Sequence, residues 1–166
     1  MKEYMIDEIS AKMVLLDYVP VLFFVGCIFA VYLKLNNTIF LVGGILCTVA
    51  GLSKASWKLV LAQKNKNIFF LNRIFRIFMC IGFTLIGISI FLSWSHITIG
   101  NLTSAVTGFP QIIFFAITII GLIFMCVCAA KQDHSKKNSN WMEEIINTFS
   151  QGSLLIGVLI SCGYIF

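Results

Sequence analysis

At 166 residues the chain has the length of one ordinary soluble domain, yet 59% of it is apolar and only 11% is charged, against about 45–50% and about 25% in globular domains. A soluble core of that size has no room for so much apolar surface, so a bilayer must take it. The net charge of +5 therefore informs through its placement, and is no signal for nucleic acid.

In chain order, residues 1–13 mix Lys2 and Lys12 with Glu3, Asp7 and Glu8, unlike the basic opening of a cleavable signal. Met5, Ile6, Ile9 and Met13 recur at helical spacing, which predicts an interfacial segment and a short amphipathic helix over 2–16 lying on the membrane surface. Asp17-Tyr-Val-Pro20 then marks the bend into the first span, with Asp17 as the N-cap of a helix starting at Tyr18.

A spanning helix needs about 20 mainly apolar residues. Five stretches meet that requirement, at about 14–33, 38–60, 74–95, 110–130 and 145–166. The fifth is the weakest, because its strictly apolar part begins only at Ser153, so its helix must start further back, near Trp141. Residues 96–109 carry no formal charge apart from what His96 gains, and read as a loop on the outer side. The expected fold is a single all-α domain over 1–166, an integral membrane bundle of five transmembrane helices.

Five spans place eleven of the twelve lysines and arginines on one side, with only Lys34 opposite. By the positive-inside rule the N-terminus is cytoplasmic and the C-terminus outside, with a bacterial cytoplasmic membrane as the expected setting. Trp57, Trp94 and Trp141 fit interfacial belts.

Polar residues recur on particular faces. Gly44, Cys47, Gly51, Lys54 and Lys58 share one stripe of the second span, and small residues on such a stripe mark close helix packing. Arg73, Arg76, Cys80, Thr84 and Gly87 repeat the design in the third span. The fifth runs Glu143, Asn147, Ser150, Leu154, Gly157 and Ser161. One reading makes the basic residues anchors that reach anionic headgroups. The sharper reading has Lys54, Lys58, Arg73 and Arg76 converge with Asp17, Glu143 and Glu144 on a polar ligand site at the cytoplasmic ends, with Asn147 and Gln151 alongside. Lys54, nearer the hydrocarbon, is the lysine expected to hold an acidic partner. Glu143 also fits a capping box with Asn140.

Chemistry is sparse. The six cysteines all lie in apolar runs and form no CxxC or Cys/His zinc spacing, so they read as small packing residues. No phosphate-cradling glycine loop, HExxH, acidic metal cluster or nucleophile–His–acid set is present, so no catalytic residue, metal or cofactor is expected. Three function classes remain, in this order: a binding or transport subunit for a small anionic or amphiphilic ligand; an accessory, regulatory or immunity-type interaction protein; and a lipid-headgroup enzyme using Glu143 or Glu144. The expected partners are membrane lipids, the small ligand, and other membrane subunits or a second copy.

Overall fold

The computed structural model describes residues 11–64, 68–93, 99–131 and 137–165. Of these, 92% are helical and none lies in a strand. The helices are α1 (Ala11–Leu35), α2 (Thr38–Lys64), α3 (Phe69–Leu92), α4 (Ile99–Thr107), α5 (Gln111–Lys131) and α6 (Lys137–Ser161). All but α4 contain a stretch long and apolar enough to cross a membrane: Met13–Leu35, Thr38–Gln63, Arg73–Leu92, Gln111–Cys128 and Trp141–Ser161. The chain is thus an all-α integral membrane protein. The last span is the least apolar, at a mean hydropathy of 1.2 against 2.4 for the first, and gains its length by starting back at Trp141.

The helices form an open row rather than a closed ring. Neighbours pack in the order α3–α2–α1–α6–α5, with α4 against α5, and among the described residues α3 and α5 share no extensive contact. Small residues set the seams, because between apolar helices in lipid close packing replaces the hydrophobic drive. A Cβ added to Gly82 of α3 would lie 2.8 Å from the Gly43 backbone oxygen of α2, and one on Gly43 would lie 2.8 Å from the Gly82 oxygen. Between α1 and α2, Gly44 faces Ile28 and Gly51 faces Val21. Between α5 and α6, the Thr118 hydroxyl bonds the Ser150 carbonyl at 3.2 Å and that of Phe114 at 2.9 Å.

The α1–α2 turn needs only Asn36 and Asn37. Asn36 takes φ 47°, a left-handed conformation that asparagine tolerates better than most residues. Asn37 Oδ1 accepts from the Ile39 and Phe40 amides at 2.9 and 3.3 Å, capping α2, and its amide donates to Ser93 Oγ at 3.0 Å beyond the end of α3.

Several expectations need correction. The helix does not start anew at 17–20: α1 runs unbroken from Ala11 through Pro20, and Met13 and Val14 are buried in the bundle rather than laid on a surface. Proline is tolerated inside membrane helices, where neighbours satisfy the freed carbonyl. Asp17 is therefore mid-helix and caps nothing. Because α6 begins at Lys137, Asn140 and Glu143 do not cap its start. Part of the expected 96–109 loop is the helix α4. Trp57 is buried in the bundle, not set in an interfacial belt. Residues 1–10, Trp94, His96 and His134 lie outside the described residues.

Candidate functional site

The charge-bearing cluster lies where the three central helices meet. α1 contributes Asp17, α2 contributes Lys58 and α6 contributes Glu144. The Lys58 Nζ lies 2.8 Å from Asp17 Oδ2 and donates to Glu144 Oε1 at 2.5 Å. Asp17 is 8% exposed, Glu144 3% and the lysine 15%. The approach to Asp17 is a close ion contact rather than a directed hydrogen bond, and Oδ2 has no hydrogen-bond partner among the described residues. Beside the cluster, the Tyr18 and Ser56 hydroxyls meet at 3.2 Å across α1 and α2.

Local sequence explains the convergence. Gly44, Gly51 and Lys58 follow one another at steps of seven, so the face that packs Gly44 on Ile28 and Gly51 on Val21 delivers Lys58 to α1 two turns later. Cys47 and Lys54 share the neighbouring seam: Cys47 is buried close to Gly82, and the Lys54 ammonium sits 5.4 Å from the Phe75 ring centre on α3. Both lysines thus face protein, as their shared stripe implies, but the acids fall to Lys58 and not to Lys54 as expected. Lys58 holds two carboxylates, while Lys54 makes a cation–π contact.

The remaining candidates do not join the cluster. Arg73 and Arg76 are exposed on α3. Their stripe, with Cys80, Thr84 and Gly87, faces outward, and a Cβ on Gly87 would meet nothing within 4 Å. The expectation that these small residues mark the packed face of α3 is overturned. The packed face runs instead through Phe75, Gly82 and Ser89, because Gly82 meets Gly43 of α2 backbone to backbone. Glu143 and Asn147 are half-buried on α6. Gln151 lies seven residues beyond Glu144, and its buried Oε1 has no hydrogen-bond partner among the described residues.

Chemically, the cluster closes the basic end of the central helices. With two carboxylates on one ammonium it is no anion receptor. An apolar groove of roughly 180 Å³ opens between α1 and α2, lined by Val25, Phe29, Ile45 and Val49 among others. The one hydroxyl on its wall, Thr48, is turned onto its own helix at Gly44 O, 2.9 Å away, so the groove offers an anion nothing to bind. No group of three His, Cys, Asp or Glu residues among the described residues is placed to hold a metal ion. No family model matches the chain, and neither a curated protein nor a solved structure matches it.

Proposed function

We propose that this chain is an accessory or regulatory interaction protein of a cell membrane, which assembles with other membrane helices along its flanks. The supporting observation is the open row: among the described residues its end helices share no extensive contact, and α3 turns Thr84 and Gly87 away from α2, its extensive neighbour. A residue without a side chain gains nothing from lipid, whereas it lets a second helix come close. The one-sided basic residues support an orientation with the Lys58 end, and the N-terminus, in the cytoplasm.

The ligand reading loses Lys58 to its two carboxylates and keeps Arg73 and Arg76, whose exposure at the basic end favours anionic headgroups. The enzyme reading has less support, since Glu144 is already engaged by Lys58.

The test is purification from native membranes in a mild detergent, followed by native mass spectrometry. A complex of fixed stoichiometry is expected for the wild type and for Val42→Trp, which alters an exposed site on α2 instead. Gly87→Trp and Thr84→Trp should release a folded single chain. A monomer in every case, retaining an anionic metabolite, would return the ligand reading to first place.

A further inference from the structure

The Asp17–Lys58–Glu144 cluster carries three formal charges that do not cancel. Two carboxylates face one ammonium, leaving a net −1 among side chains that are 3–15% exposed. Among the described side chains, no nearby group supplies the missing positive charge. On α2, Lys54 is turned to Phe75 of α3. On α3, Arg73 and Arg76 point outward. On α6 the adjacent charge is another acid, Glu143, which is half-buried. α5 has no acidic or basic residue between Gln111 and Ala130, and on α1 the neighbour is the neutral Tyr18, bonded to Ser56.

Two features make the imbalance specific. Asp17 Oδ2 and Glu144 Oε1 both lie within 2.8 Å of the one Lys58 Nζ, yet neither carboxyl group carries a donor when ionised. Asp17 Oδ2, in a residue more than nine-tenths buried, has the ion contact with Lys58 but no hydrogen-bond partner among the described residues. One hydrogen placed between the carboxyl groups answers both. Two carboxylates sharing a buried site do not both stay ionised cheaply, so one of them takes a proton.

We propose that this cluster is a single-proton site: Asp17 and Glu144 share one exchangeable proton beside the Lys58 ammonium. The step is a simple addition. A proton from water bonds to one carboxylate oxygen, the lysine keeps its charge, and the cluster passes from net −1 to neutral. Because the three groups come from α1, α2 and α6, the proton is held where the central helices join, and its loss places an uncompensated charge at that junction. This proposal stands apart from the interaction reading and does not depend on it.

Infrared spectroscopy of the full chain in nanodiscs, in H2O and in D2O at neutral pH, reads the proton directly. A carboxylic C=O band is expected that shifts in D2O and shifts again when Asp and Glu carry ¹³C. Its intensity should correspond to one proton per chain. Asp17→Asn and Glu144→Gln should each abolish the band, because the surviving carboxylate then pairs with Lys58 as an ion. Lys58→Gln should raise it about twofold, since both acids then neutralise. Absence of the band from wild-type protein overturns the proposal without relying on any variant's folding. So does a band that persists in both acid variants. Replacing sodium with a bulky organic cation should leave the band unchanged; a band that grows on sodium removal makes the site a sodium site and overturns the proton assignment.

Discussion

The inner three helices and the two outer ones are held by different physics. α1, α2 and α6 meet around an ammonium and two carboxylates, whereas α3 joins α2 through two glycine backbones in near contact and α5 joins α6 through small residues and the Thr118 hydroxyl. Over an 18-residue apolar stretch of each span, a third is buried in α1 and α2 and 17% in α6, against 11% in α3 and α5. In water, the uncovered apolar faces of the outer helices would drive collapse; in lipid they cost nothing. Which faces meet is decided instead by charges that must be paired and by residues small enough to admit a neighbour.

The largest expected effect comes from taking the cation out of the centre. Lys58→Met leaves two buried acids without their partner and should cost about 3–5 kcal/mol in unfolding measured in a bilayer or mixed micelles. Adding Asp17→Asn and Glu144→Gln to that variant should recover much of the loss. A Lys58→Met chain as stable as wild type would remove the distinction between centre and flank.

Within α3 the contrast can be sharpened on a single helix. Gly82→Ala sets a methyl against the Gly43 carbonyl, which as backbone cannot swing aside, and should cost about 1–3 kcal/mol. Gly87→Ala meets open space and should be neutral, or stabilising by up to about 1 kcal/mol. Equal effects at both sites in thermal unfolding would mean that the packed and open faces of α3 are misassigned.

Smaller still is Thr118→Val, which removes the hydroxyl between α5 and α6 and should cost about 0.6 kcal/mol by chemical unfolding. A loss as large as that of Lys58→Met would place the flank on the same footing as the centre. Lys54→Gln, which loses a contact with the Phe75 ring, should fall at or below about 1 kcal/mol. A larger loss would give Lys54 the role assigned here to Lys58.

Much of the architecture was legible because membrane spans are long and their basic flanks fall on one side. The face of α2 was legible too: Val42 and Val49, opposite the small-residue stripe, are exposed. What the stripe could not reveal is that α2 is packed on two sides. Cys47 and Lys54 belong to the α3 seam while Gly44, Gly51 and Lys58 belong to the α1 seam, and a single stripe drawn through all five merges them. The heptad step from Gly44 through Gly51 to Lys58 was the available signal for the lysine that reaches the acids. Glu143 and Glu144 are both candidates from sequence, but the two lie about 100° apart around the helix, and only the position of α1 selects between them. On α3 the sequence offers two small-residue faces, one through Gly82 and one through Gly87, and periodicity alone ranks neither. α4 was missed because nine residues, IGNLTSAVT, make too short a run to stand out from a polar loop.

The most direct measurement is a pair of double-mutant cycles, Lys58 with Asp17 and Lys58 with Glu144, read by reversible unfolding of the purified chain in a lipid environment. If one ammonium holds three helices together, both cycles should give favourable coupling in the range of about 0.5–3 kcal/mol. Coupling indistinguishable from zero in both would contradict the central clamp.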